Sequence, residues 1–196
     1  MRLFPLNTPN LLTVLRIFLV PVVVVALTEG VPHGDAIAAT VFVLAALTDG
    51  LDGYIARSRE SVTTFGKVMD PVADKLLIAA ALLALVSLDR VAAWVAMVII
   101  AREFAVSALR MAAGQQGVVI AASRLGKLKT AVQLAAVLAL IAAPNADAAW
   151  VQVLVYLMVI VTIVSGADYF KNFRRRIDEI SRQEAAAAEA APEPVR

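Results

Sequence analysis

The sequence predicts an all-α protein: a polytopic membrane bundle of six transmembrane helices with a short N-terminal interfacial segment. Three observations carry this. The 196-residue chain is 61% hydrophobic and has a mean hydropathy of +0.80, far above that of a soluble domain. Several apolar stretches reach the roughly 20 residues needed to cross a hydrocarbon core of ~30 Å. Lys and Arg gather on alternate loops, as in a chain threaded repeatedly through a bilayer. Cysteine is absent, which excludes disulfide and thiol chemistry. Net charge is only +2, and no nucleic-acid partner is expected.

Residues 1–10 hold Leu3, Phe4 and Leu6 between polar residues and prolines, and read as a segment lying on the membrane surface. The first apolar run has no small-residue cleavage site behind it, so it reads as a membrane helix rather than a signal peptide. Asn10 is placed to cap that first span, 11–27. A loop of turn formers precedes the second span, 36–57. A polar turn leads to the third, 66–88, whose Pro71 falls near the start, where a missing N–H has no helical partner to lose. The tetrapeptide S-L-D-R is a tight turn before the fourth span, 91–112. The fifth covers 125–143 and ends at Pro144 and Asn145; the sixth covers 148–170. Residues 1–170 thus form the membrane domain. Residues 171–196 are a basic and then Ala/Glu-rich tail, expected as a frayed helix passing into disorder.

Six spans put both termini on one side. Arg2, Arg16, Arg57, Arg59, Lys67, Arg110, Arg124, Lys127, Lys129, Arg174, Arg175 and Arg176 lie on or next to that side; the loops of the other side hold Arg90 alone. The chain is therefore expected as a multi-pass protein of the cell (inner) membrane, with both termini and the acidic segment facing the cytoplasm. The acidic pattern does not recur in the second half, which counts against an inverted-repeat transporter.

The chemistry concentrates between Asp49 and Asp74. At ~100° per residue, Asp49, Asp52, Gly53, Ala56 and Arg57 share one broad face of the second span. Gly66, Asp70 and Asp74 follow at i, i+4 and i+8 on the third. Two helices joined by a short turn then aim four carboxylates at one another. Four anions share a low-dielectric space only when something cationic neutralises them. Oxygen-only ligands favour a hard ion, Mg²⁺ or Mn²⁺. A lone intramembrane Asp is explained as readily by a structural pairing with Arg. Four at this spacing, with Gly53 and Gly66 opening backbone room, point to function.

The same residues carry a resemblance. D-G-L-D-G-Y-I-A-R followed by G-K-V-M-D-P-V-A-D resembles the signature of the CDP-alcohol phosphatidyltransferase family. Asp49, Asp52, Gly53, Ala56, Arg57, Gly66, Asp70 and Asp74 fill all its fixed positions. P-N-L-L-T-V-L-R at 9–16, D-P-V-A-D-K at 70–75, A-R-E-F-A-V-S-A-L-R at 101–110 and G-K-L-K-T-A-V-Q at 126–133 are similar to its phosphatidylglycerophosphate synthase branch. The resemblance implies a six-helix membrane enzyme, usually a homodimer, that transfers a phosphatidyl group from CDP-diacylglycerol to an alcohol and releases CMP. In this branch the alcohol is sn-glycerol 3-phosphate. It implies metal held by Asp49, Asp52, Asp70 and Asp74, with Asp74 also taking the proton of the acceptor hydroxyl. Two ions about 4 Å apart suit such an in-line displacement. On the CDP-diacylglycerol side, Gly53 would let the nucleotide approach the backbone and Arg57 would contact phosphate as a fork donor. Thr63 and Gly66 match family positions there. Asn10, Thr13 and Arg16 are further nucleotide-site candidates, although Asn10 reads equally as a cap and Arg16 as an interface anchor.

The acceptor brings its own phosphate and needs a cationic pocket. Arg102 and Arg110 lie eight apart on the fourth span, on nearly one face. Lys127 and Lys129 open the fifth, with Arg124 just before. Each alone fits positive-inside anchoring as well; as a group beside the acids they fit a phosphate site. Glu103 is placed to orient one of them. Other features are bland. His33 reads as solvated, Trp94 and Trp150 as interfacial aromatics. Asp168 is placed to pair with the basic run behind it, and Arg174, Arg175 and Arg176 with anionic headgroups. Two rival readings stand beside this one. One is the same transfer to inositol 1-phosphate, serine or phosphatidylglycerol. The other is a cation transporter, against which the G-x-x-A-R element counts, since it has no use in passing cations.

Overall fold

The computed structural model of the chain describes the backbone of residues 8–58, 64–115 and 124–189. Side chains are described over these ranges except at 8–10, 49–58, 64–68, 70–71, 74, 115, 124, 180–181 and 183–189. The described residues form helices and turns, with no strand: α1 (Thr8–Thr28), α2 (Gly34–Ser58), α3 (Thr64–Ser87), α4 (Ala93–Gln115), α5 (Arg124–Ala142) and α6 (Ala149–Glu189). α1 packs on α2 and α3, α5 on α6 and α2, and α4 on α6 and α3. One apolar core joins all six through residues such as Val23, Phe42, Leu82, Ile99, Leu140 and Met158.

The outside is apolar as well. On α1, Leu11, Leu15, Phe18, Val22 and Val25 recur at helical spacing and are 43% to 67% exposed. Their opposite face buries Val20, Val23 and Leu27 in the core. A helix that is apolar on both faces belongs in lipid. Among the described residues, three helices are long and apolar enough to cross a membrane, within Leu11–Thr28, Leu125–Ala142 and Ala149–Glu179. This is a membrane protein. α2 and α3 hold shorter apolar stretches, Gly34–Thr48 and Lys75–Ser87, beside their acidic segments. α4 is interrupted by Arg102, Glu103 and Arg110.

The ends of the elements correct several expectations. α1 already begins at Thr8, so Asn10 lies inside its first turn and does not cap it. Pro9, which has no N–H to offer, suits that first turn. The expected interfacial segment is thus helix from residue 8 onward, and residues 1–7 lie outside the described ones. α6 continues past residue 170 into the tail, where helix is expected: it runs unbroken for 41 residues, about 61 Å at 1.5 Å per residue. Ala and Glu, good helix formers, dominate its last turns. Asp168 makes no ion pair with the basic run among the described residues; Arg175 and Arg176 both bond to Glu179 instead, at 3.0 and 3.2 Å.

The loop end opposite the acids is tied down by Arg90. The amide of Arg90 donates to Leu85 O and that of Asp89 to Val86 O, with Asp89 at φ 56°. This is the left-handed bond pattern that closes a helix end. The guanidinium then reaches out from the turn. It donates to the carbonyls of Ile141 and Leu140 at 3.0 and 3.5 Å and to Asp35 Oδ2 at 2.7 Å. Those carbonyls belong to the last turn of α5, where no intrahelical donor is left. Asp35 sits in the first turn of α2, where the helix dipole favours a carboxylate. At the same end, a Cβ at Gly34 would run into the carbonyl of Ala26, so only glycine lets α2 start this close to α1. The basic residue that sequence left alone on that side is a clamp joining α2, α5 and the α3–α4 turn.

Candidate active site at one end of the bundle

The Arg90 clamp gives a common origin for placing the chemistry. At 1.5 Å per residue, Asp49 lies about 21 Å along α2 from Asp35. On the same scale Lys129 lies about 18 Å back along α5 from Ile141. Asp74 lies about 20 Å back from the end of α3, and Arg102 about 14 Å into α4. The acidic halves of α2 and α3 and the basic residues of α4 and α5 therefore fall at one level of the bundle. Asp49, Asp52, Gly53 and Arg57 occupy α2, and Gly66, Asp70 and Asp74 occupy α3; their side chains, with those of Asn10 and Arg124, lie outside the described residues, as does Thr63 entirely.

Two nucleotide-site candidates are described. Thr13 is fully buried and Arg16 is 1% exposed. Arg16 is thus no anchor at the lipid interface; it turns into the bundle, and its Nε donates to Ala45 O of α2 at 3.2 Å. Ala45 lies one turn before Asp49, and the same carbonyl accepts from Thr48 Oγ1 at 2.8 Å. A permanent cation buried this deep sits one helical turn from the first acid of the signature.

The basic cluster is built around Glu103. Glu103 Oε1 accepts from Lys129 Nζ at 2.6 Å, from Arg102 Nη1 at 3.2 Å and from Gln133 Nε2 at 3.5 Å. Gln133 also donates to Thr162 Oγ1 on α6 at 3.2 Å. Arg102 Nη2 donates to Ser165 Oγ at 3.1 Å, and that hydroxyl donates to Thr162 O at 3.0 Å. One carboxylate thereby fastens α4 to α5, and the chain of polar groups continues to α6. The side chains of Arg102, Glu103 and Lys129 are only 10% to 15% exposed. Buried charges of this kind need partners, and here they have one another.

Of the expected acceptor residues, Arg102 and Lys129 meet through Glu103. Arg110, two turns further along α4, is exposed, and its guanidinium carbon lies 5.7 Å from the centre of the Tyr169 ring. Lys127 does not join; it is exposed, on another face of α5. Sequence reading missed the contribution of α6. Thr162, Ser165, Gly166 and Tyr169 are spaced i, i+3, i+4 and i+7, a small and polar stripe on one face of an apolar helix. That spacing was the available signal. Gln133, four residues after Lys129, carried the same one on α5. The apolar groove beside Pro21, lined by Val22, Val25, Ala26, Val31 and Ile37, offers no chemistry.

Fold and site together define a helical membrane protein with acidic and basic segments gathered at one level. The family model for CDP-alcohol phosphatidyltransferase matches residues 6–164. A protein of Bacillus subtilis (strain 168) named CDP-diacylglycerol–glycerol-3-phosphate 3-phosphatidyltransferase is 40% identical over 187 residues, covering 85% of this chain and 94% of its own. A protein of the same name from Rickettsia felis is 38% identical over 174 residues, covering 86% and 96%. A protein of Mycobacterium tuberculosis (strain ATCC 25618 / H37Rv), named "Probable phosphatidylglycerophosphate synthase", is 40% identical over 185 residues, covering 92% and 87%. The chain belongs to the CDP-alcohol phosphatidyltransferase family.

Proposed function

We propose that this chain transfers the phosphatidyl group of CDP-diacylglycerol to sn-glycerol 3-phosphate, giving phosphatidylglycerophosphate and CMP. The relatives' names supply the reaction. The observation that carries it in this molecule is the coincidence of levels: signature acids on α2 and α3, a buried cationic cluster on α4 and α5. A donor with a pyrophosphate and an acceptor with its own phosphate need both.

In this reading Asp49, Asp52, Asp70 and Asp74 hold Mg²⁺ or Mn²⁺, two ions in all; the all-carboxylate donor set suits a hard divalent ion. When bound, the ions neutralise the donor's phosphate oxygens and stabilise charge in the displacement. Asp74 takes the proton from the acceptor's free primary hydroxyl. That oxygen forms its bond to the phosphatidyl phosphorus as the bond to the CMP oxygen breaks, and CMP leaves with the electron pair. Gly53, Arg57, Thr63 and Gly66 receive the CDP moiety, with Thr13 and Arg16 beneath it. Arg102, Lys129 and the more exposed Arg110 receive the acceptor's phosphate, with Arg124 at the start of α5. All six helices span the inner membrane, with residues 1–170 as the membrane domain, the site and both termini cytoplasmic, and two copies forming a homodimer. The Lys and Arg distribution supports the orientation. The charged residues of α2, α3 and α4 are of the kind that membrane helices carry for function.

The test is an acceptor panel. Purified protein in detergent is given CDP-diacylglycerol with glycerol 3-phosphate, inositol 1-phosphate, serine or phosphatidylglycerol, and CMP release is followed. The expected result is release with glycerol 3-phosphate at least about tenfold faster than with the others, a gap of ~1.4 kcal/mol. Faster release with serine or phosphatidylglycerol, which bring no phosphate monoester, would overturn the choice of acceptor.

A further inference from the structure

Among the described residues two buried polar atoms, Arg102 Nε and Tyr169 Oη, lack a hydrogen-bond partner. Tyr169 is 6% exposed. Buried donors of this kind are rare in native proteins, and an unmet one is a standing cost. Their positions are related. Arg102 crosses α6 at Ser165 and Gly166: it bonds to Ser165 Oγ, and a Cβ at Gly166 would come 3.2 Å from its Cγ and 3.5 Å from its Nε. Tyr169 lies one turn further along the same face of α6. Its ring carries the guanidinium of Arg110, which has no carboxylate partner among the described residues. Tyr169 thus lies one turn from where Arg102 crosses α6 and under the exposed guanidinium of Arg110, and its hydroxyl and the Arg102 Nε–H both lack an acceptor among the described residues. It also lies beyond residues 6–164, which the family model matches.

We propose that Tyr169 is a binding residue for the phosphate of the acceptor. Its hydroxyl and the Nε–H of Arg102 donate to oxygens of one phosphate monoester, held between Arg102 and Arg110. Guanidinium and phenol hydroxyl supply the donors that a tetrahedral oxyanion lacks. Gly166 lets the Arg102 stem lie close against α6, where a Cβ would crowd its Cγ at 3.2 Å. This rests on the reading of Arg102, Arg110 and Lys129 as the acceptor site, and adds α6 to it.

The test uses full-length protein in detergent and the variants Tyr169→Phe and Tyr156→Phe, the second a control at an exposed position on α6. Phe keeps the ring under Arg110 and removes only the hydroxyl. Because that hydroxyl bonds to nothing among the described residues, the unliganded melting temperature of Y169F is expected to equal or exceed that of the parent. The Kd for glycerol 3-phosphate and for inorganic phosphate is expected to rise about tenfold or more, as for a lost hydrogen bond to a charged group. The KM for glycerol 3-phosphate rises with it, the KM for CDP-diacylglycerol stays, and Y156F behaves as the parent. If Y169F binds both phosphates as tightly as the parent while Arg102→Gln does not, the inference falls and the acceptor site stands. A lowered melting temperature with unchanged affinity makes the hydroxyl structural and also ends it. A shift confined to CDP-diacylglycerol or to short-chain phosphatidylglycerol makes the lodged phosphate a lipid's and likewise overturns the inference. If the parent protein neither binds nor uses glycerol 3-phosphate, the acceptor reading and the inference fail together.

Discussion

Asp74→Asn is expected to abolish turnover while leaving the protein folded and in the membrane. Asn has nearly the shape of Asp and keeps a ligating oxygen, but it takes no proton from a hydroxyl at neutral pH. General-base catalysis contributes roughly 10²–10⁴-fold, and kcat should fall by that factor at least. The weakened hold on a divalent ion adds to the loss, since one of four carboxylates is gone. Binding of glycerol 3-phosphate, measured by calorimetry, should change little, because the proposed phosphate site lies on α4, α5 and α6. The melting temperature in detergent should not fall, because Asn removes one of the four like charges that the signature places on two successive helices. Near-parental turnover in D74N would remove Asp74 as the base.

Glu103→Ala is expected to produce the largest loss of stability of any single change at the site. The variant takes the shared acceptor from Lys129, Arg102 and Gln133 at once. Truncating one member of a buried charge cluster costs about 3–5 kcal/mol, because the remaining charges stay where water does not reach. For a chain of this length that is roughly 6–20 °C in melting temperature. A companion variant separates stability from function. Glu103→Leu with Lys129→Met replaces the pair with apolar groups of similar size, which is often close to neutral for folding. That double variant should regain most of the lost stability but bind glycerol 3-phosphate at least about tenfold more weakly, since a charge-assisted bond is missing. Equal melting temperatures for E103A and the parent would show that the cluster does not hold α4 to α5. Full acceptor affinity in the double variant would take Lys129 out of the phosphate site.

The pattern of these two expectations follows how the sequence could be read. Helical period and apolar length located six elements, because each depends only on residues near one another in the chain. Span ends mostly fell within a few residues of the observed helix ends. The eight signature positions were legible for the same reason, being local to two adjacent helices. What period cannot supply is which helix neighbours which face. Glu103 was visible as a partner for a basic residue, yet its three donors come from α4 and α5, up to 30 positions apart. Ser165, Gly166 and Tyr169 matter only because α4 packs on α6, a contact no local pattern encodes. Arg16 misled for a related reason: an arginine near a span end usually reaches for headgroups, and its burial against Ala45 depends on α1 lying across α2. Asn10 misled at an element end, where Pro9 permits an earlier start; the tail, read as helix at its start, is helix as far as Glu189.

The central claim is that acids on α2 and α3 and cations on α4 and α5 serve one transfer between two phosphate-bearing substrates. The most direct measurement uses purified protein, CDP-diacylglycerol and radiolabelled glycerol 3-phosphate. It counts label entering chloroform-soluble lipid against CMP released, with and without EDTA. The expected result is one labelled lipid per CMP, near-complete loss of both with EDTA, and recovery of both on adding Mg²⁺ or Mn²⁺. CMP released without label in lipid, or transfer that continues undiminished in EDTA, would contradict the account.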